Sequence, residues 1–256
     1  GGDQNTFGYP GNGWVAWNWK ANGGTTSTIS VGDVSSGVPS IASTVQANTT
    51  AGFSIVTYTG NGSAGSTVGH GLSQTPDMVI TKSRNATHYW IVQHVGLSAV
   101  TENLYLQTTN SEQPDSQYTA LSSTTLTVNG GSVNGNTTTY VSYCFHSVEG
   151  YSKFGSFTGN GSTDGTFVYL GFRPAWIMTK STASTSNWEM FDNKREGYNV
   201  DNDALWANTN AAEKTANQID FVSNGFKLRI ATDPNVAETF IYMAFAESPF
   251  KYANAR

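Results

Sequence analysis

The feature that most constrains the fold of this 256-residue chain is an internal repeat with a period of about 100 residues. Tyr58-Thr59-Gly60-Asn61-Gly62-Ser63 returns as Phe157-Thr158-Gly159-Asn160-Gly161-Ser162, 99 positions later. Pro76-Asp77-Met78-Val79-Ile80-Thr81-Lys82 returns as Pro174-Ala175-Trp176-Ile177-Met178-Thr179-Lys180, and Trp90-Ile91-Val92 as Trp188-Glu189-Met190, both 98 positions on. Tyr140-Val141-Ser142-Tyr143-Cys144-Phe145 matches Phe240-Ile241-Tyr242-Met243-Ala244-Phe245 at 100. Matches kept in order at nearly constant spacing describe one folding unit used twice.

Each copy reads as short strands broken by turns. Phe53–Tyr58 and Met78–Thr81 carry the β-branched and aromatic residues that pack on a pleated surface. Gly60-Asn61-Gly62, Gly159-Asn160-Gly161 and Asn224-Gly225 supply residues that tolerate positive φ, as tight turns need, and Val128-Asn129-Gly130-Gly131 gives a similar break. Only 203–207 and 211–218 read as helix-like. The expected fold is therefore all-β: two tandem β-sandwich repeats, lectin-like or jelly-roll in form, plus an N-terminal strand and a linker. Trp14–Lys20 has the form of a unit's last strand, with too few residues before it for a whole unit, so it reads as the end of a preceding repeat in a longer chain, the alternative being a strand that completes a neighbouring sheet. The Gly-, Ser- and Thr-rich stretch 22–50 reads as linker. The boundaries are 1–50 for these two pieces, 51–149 for the first repeat and 150–256 for the second.

Composition narrows the function. Charged residues make up only 12% and the aromatic content is also 12%, which excludes a disordered chain despite the abundant Gly, Ser, Thr and Asn. A net charge of −5 argues against nucleic acid as a partner. No apolar run is long enough for a membrane-spanning helix, and no basic-then-apolar signal segment opens the chain. The single Cys144 lies in an apolar run and reads as a buried small hydrophobe. The sequons at Asn48, Asn61, Asn85, Asn136 and Asn160 are what a chain so rich in these residues contains by chance.

Few residues group into chemistry. His70, His88, His94 and His146 lack zinc-site spacing, although Cys144 and His146 share strand parity. Asp192, Asp201, Asn202 and Asp203 offer oxygen ligands of the kind calcium takes, but without the D-x-D-x-D-G loop. No metal and no cofactor is assigned. Glu102, Glu112, Glu149, Glu189, Glu196, Glu213, Glu238 and Glu247 offer many carboxylate pairs and single out none, and nucleophile motifs are missing, so the chain is read as non-enzymatic. Glu112 and Glu213 sit at similar repeat positions, which points to architecture. Trp90 and Trp188 also recur and are expected in the core. A sugar site needs an aromatic platform beside amides and carboxylates. Tyr89, Trp188, Trp206, Tyr198 and the polar loop 199–203, with Asn199, Asp201 and Asp203, are the candidates, with Trp206 foremost because it has no aromatic counterpart in the first repeat. Arg173 and Arg195 read as members of surface ion pairs.

Several longer motifs carry a resemblance. Val15–Lys20, Val68-Gly69-His70-Gly71-Leu72, Val148–Gly161, Gly171–Trp176, Ser223–Leu228 and Ala244–Glu247 resemble a repeat family in structural proteins of marine tailed bacteriophages. The likeness runs from Trp14 to Arg256. It implies a virion protein: the C-terminal part of a tail fibre or adhesin contacting the host surface, or a capsid decoration or fibril protein binding only other virion proteins. A carbohydrate-binding module is a further alternative. The same resemblance implies other virion proteins as partners, a homo-oligomer (a trimer in fibres) and a host surface glycan as a ligand. It transfers no catalytic residue.

Overall fold

The computed structural model describes residues 15–195, 199 and 201–248, without the side chains of 201, 202, 216 and 217. Eighteen strands and almost no helix make up the described chain. The first half contains β1 (Ser27–Ile29), β2 (Ser43–Asn48), β3 (Phe53–Thr59), β4 (Ser66–Gly69), β5 (Met78–Ser83), β6 (Ile91–His94), β7 (Leu104–Tyr105), β8 (Tyr118–Leu121), β9 (Thr125–Val128), the short helix α1 (Gly131–Asn134) and β10 (Thr139–Phe145). The second contains β11 (Ser152–Thr158), β12 (Phe167–Tyr169), β13 (Pro174–Ser181), β14 (Glu189–Asp192), β15 (Asp201–Trp206), β16 (Lys214–Val222), β17 (Gly225–Leu228) and β18 (Thr239–Ala246).

The strand orders of the two halves coincide. The order β3-β10-β5-β6-β7 in the first matches β11-β18-β13-β14-β15 in the second, and β4-β9-β8 matches β12-β17-β16. Each half thus has five matching strands in a large sheet covered by three in a smaller one, all antiparallel, and in the first half β2 and β1 extend the large sheet to seven strands. In the second half β15 also pairs with β16, through Asp201↔Ile219 and Ala204↔Lys214, so its eight strands form one continuous sheet folded over itself. Asp203–Ala207 and Ala211–Gln218, expected as helix, fall in or beside these two strands. Ladder pairing and one buried face override the modest helix preference of Ala, Glu and Lys.

Strand alternation explains the layering. On β5, β6 and β10, Val79, Ile91 and Cys144 point into the first sandwich, while their neighbours Met78, Val92 and Phe145 point the opposite way. In the second half Ile177 and Tyr242 face its sandwich core, while Met178 and Met243 face outward. The two outward faces meet. They form a third apolar layer holding Phe53, Phe145, Phe154, Trp176, Trp188 and Phe245. Hydrogen bonds cross it from His94 Nε2 to the Tyr242 carbonyl (3.1 Å), and from Trp188 Nε1 to the Tyr105 carbonyl (3.0 Å). At the margin, the Glu112 N–H donates to the Thr182 carbonyl (2.9 Å). Trp188 is therefore buried, but between the sandwiches, whereas Trp90 is only half-buried.

The N-terminal expectations need correction. Val15–Lys20 pairs with no strand. Its alternation instead sends Trp17 and Trp19 into the shared layer, with Trp19 5.3 Å from Trp176 and 5.4 Å from Phe245 in edge-on contacts. Alternating burial requires an extended chain, not a ladder. Residues 22–50 are more than a linker: β2 pairs with β3 along six residues, β1 pairs with β2, and Ile29 and Ile41 enter the first core.

One turn device is built twice. Asn134, buried, donates to Asn61 Oδ1 (3.2 Å) and to the Ser63 carbonyl (2.8 Å), and accepts from the Asn61 N–H. Asn235 makes the same three bonds to Asn160 and Ser162. Gly62 and Gly161 complete the turns at φ of 73° and 64°. The sequon residues Asn61 and Asn160 are thus turn-forming groups.

Candidate functional site

The residues expected to bind a sugar do not form one surface. Trp206 and Asp203 are three positions apart on β15, so strand alternation sends them to opposite faces. Asp203 Oδ1 accepts from the Thr215 hydroxyl (3.4 Å). Asn199 is spent on backbone: its amide donates to the Phe221 carbonyl (2.9 Å) and accepts from the Phe221 N–H (2.9 Å), extending the sheet. Tyr198 and the Asp201 side chain lie outside the described residues.

Trp206 turns inward, onto a polar cluster of Glu189, Gln218 and Lys214. It pairs across the ladder with Glu189, which is 4% exposed. The indole N–H donates to Glu189 Oε1 (3.4 Å), the Gln218 amide donates to Oε2 (3.2 Å), and the Lys214 ammonium lies 3.8 Å from Oε1. Burial pushes the Glu189 carboxyl up to about 7, against the pull of Lys214. The corresponding residue of the first half is Ile91, so an acid stands where its counterpart is apolar. Glu189 can hold a proton near neutral pH. Nearby, Lys180 is buried and donates to the Ser181 carbonyl (2.7 Å) and Ser186 Oγ (3.1 Å), and loss of hydration brings its ammonium down to about 8.

Other candidates are accounted for locally. Asp192 Oδ1 caps the N–H groups of Lys194 and Arg195, and its Oδ2 pairs with the Arg195 guanidinium at 2.7 Å. Arg195 also pairs with Glu213 and lies over the Trp17 ring. It is therefore a partly buried bridge and not a surface pair. Arg173 pairs with Glu247 at 3.0 Å. Among the described residues no three or more His, Cys, Asp or Glu side chains gather as metal ligands. Cys144 is fully buried, and its thiol is pushed up by loss of hydration.

A second surface emerges from comparing the halves. In the first, residues 27–48 cross the seam between β3 and β4. Ser40 and Ile41 donate to the Thr67 carbonyl, and the Ser43 hydroxyl donates to the Gly69 carbonyl (2.7 Å). A Cβ on Gly69 would stand 2.8 Å from Ile29, so this seat requires glycine. In the second half the matching seam, between β11 and β12, has no such strap among the described residues. The ladders β4–β9 and β12–β17 place Phe167 where Thr67 stands and Tyr169 where Gly69 stands. Both rings are exposed, at 46% and 60%. Beside Tyr169 opens a cleft of about 730 Å³ whose lining includes Lys153, Tyr169, Phe172, Arg173, Glu149 and Glu247, with Phe167 two positions away on β12 outside the lining.

Fold and surfaces together define a class: an all-β protein made of similar sandwiches joined through a common apolar layer. The chain belongs to the family described as a domain of unknown function, DUF7483, which matches residues 1–249. That single match spans both sandwiches and the strap. No curated protein and no solved structure matches the chain.

Proposed function

We propose that the chain is a structural display module of a bacteriophage particle, part of a tail fibre or adhesin that holds loops at the host surface. The observation that carries this reading is the shared aromatic layer, against which the central strands of both large sheets are buried on the face opposite their sandwich core. Such a layer turns two sandwiches into one stiff body, which suits mechanical display and offers little room for domain closure. The treatment of the carboxylates supports a non-catalytic role. Asp192, Glu189, Glu213 and Glu247 are all engaged by Arg, Lys, Gln or Trp side chains. Other virion proteins and further copies of this chain are the proposed partners. Many copies would compensate for weak single contacts by avidity of about 10²–10⁴.

Labelling intact particles with an antibody against this chain tests the proposal. Label at the tail or fibre tips is the expected result. Label spread over the head would replace the adhesin with a capsid decoration protein, and particles without label would remove the virion role altogether.

A further inference from the structure

We propose that the open seam between β11 and β12 is a binding site for a neutral oligosaccharide, with Tyr169 and Phe167 as its stacking platform. This goes beyond a place on the particle and does not depend on it, because the site is a property of the isolated chain.

The argument starts from what the seam has in place of the strap. The first half covers its seam with apolar and hydroxyl side chains of residues 27–48 and keeps glycine at position 69 to admit Ile29. The second half places a tyrosine there. A second copy's strap therefore cannot seat in the same way, since Ile29 would meet the Tyr169 ring. An added peptide strand is also poorly served, because both ends of the outer edge of β11 are occupied, which leaves only a short stretch around Ser156 for pairing. Val148 and Ser152 exchange backbone hydrogen bonds, the Phe154 N–H donates to Ser147 Oγ (3.2 Å), and the Thr166 hydroxyl donates to the Thr158 carbonyl (2.8 Å).

What remains accessible is side-chain chemistry. Tyr169 is oriented by its surroundings. The Lys153 ammonium donates to its carbonyl (2.8 Å) and lies 5.2 Å from its ring centroid. Gly171, at φ of 88°, lies beneath the ring edge. Large exposed aromatic rings cost hydration, and two together on one edge strand mark a contact surface. The cleft volume lies within the roughly 300–1,000 Å³ of small-molecule sites.

Charge selects the ligand class. The ionisable residues of the lining are Lys153, Arg173, Glu149 and Glu247, two of each sign. Arg173 is already held by Glu247 and by the Phe221 carbonyl (2.7 Å), and Lys153 by the Tyr169 carbonyl. With two cations balanced by two carboxylates, the lining offers a sulfated or uronic-acid polymer no net positive charge. A neutral pyranose fits: its C–H face covers an aromatic ring, while its hydroxyls meet Ser147, Ser248 and the rim of the Arg173–Glu247 pair.

The test is saturation-transfer NMR and calorimetric titration of the full chain. The probes are neutral gluco-, manno- and galacto-oligosaccharides, with polygalacturonate and heparin as anionic probes. At least one neutral probe should bind with roughly millimolar affinity or better, and Tyr169→Ala should weaken it at least about tenfold. Phe167→Ala provides a second reading should Tyr169→Ala unfold, each variant being checked by its thermal melt. Tyr89→Ala, which removes an exposed ring of the first half, should leave binding unchanged. The site is refuted if no neutral probe binds, if only the anionic probes bind, or if both seam variants bind as the parent does. Particle labelling and glycan binding are separate readouts, so the failure of one leaves the other standing.

Discussion

Three buried ionisable side chains set the response of this protein to pH. Burial brings His70 and His94 down to about 4 and pushes Glu189 up to about 7. The histidines take up protons more readily in the unfolded chain, so they remove stability as pH falls from 6.5 towards 4. Glu189 holds its proton more tightly in the folded chain, so it removes stability as pH rises from 4.5 towards 7. Each effect is on the order of 3 kcal/mol when fully expressed. The two act in opposite directions across nearly the same window. Glu189→Gln keeps an acceptor for Trp206 or Gln218 and removes the titration. Urea unfolding across pH should find this variant more stable than the parent at pH 8, by about 1–3 kcal/mol, with a steeper loss between pH 6.5 and 4.5. Parallel pH profiles for the two proteins would show that Glu189 is not the source.

At the scale of elements, the strap of residues 27–48 is the part whose role changes most between sequence and structure. Its composition is that of a flexible connector, yet β2 supplies a complete ladder to β3, and Ile41 is 5% exposed in the first core. Ile41→Ala should therefore cost about 2–5 kcal/mol in denaturant unfolding, as deletion of a packed side chain does. Val34→Ala in the same strap, where the side chain is solvated, should change stability by less than about 0.5 kcal/mol. Equal and negligible effects would return the segment to the status of a linker. In the second half, where no strap crosses the matching seam among the described residues, Phe167 and Tyr169 are exposed. The two halves thus share a strand order but differ in what closes their seams.

For the whole molecule, the decisive feature is the layer between the sandwiches. Phe245 meets Phe145 across it, and also Trp19, Phe154 and Trp176. Such aromatic pairs contribute about 0.5–1.5 kcal/mol each beyond the area they bury. Neither sandwich can unfold without exposing this face of the other. Calorimetry should record one transition whose calorimetric and van't Hoff enthalpies agree. Two resolved transitions in the parent protein would mean that the halves are independent bodies and that the layer couples them weakly.

The all-β class, the repeat, the turns at Gly60–Gly62 and Gly159–Gly161 and the burial of Cys144 could all be read from the chain itself. Each depends on local alternation, turn residues or self-similarity, which neighbouring positions encode. Tertiary structure alone decided the rest. The alternation of Trp17 and Trp19 announces an extended segment, but only the surrounding surface decides between a ladder and an aromatic plug. Asp203 and Trp206 are close in sequence and diverge because they fall on opposite faces of one strand. Glu189 carries no local mark of its burial, since a desolvated carboxylate is made by Trp206, Lys214 and Gln218 arriving from other strands. Phe167 and Tyr169 read as ordinary strand residues, and their exposure follows from a seam that no strap crosses among the described residues. Local pattern states which way a side chain points; what it points at is settled by packing between segments far apart in sequence.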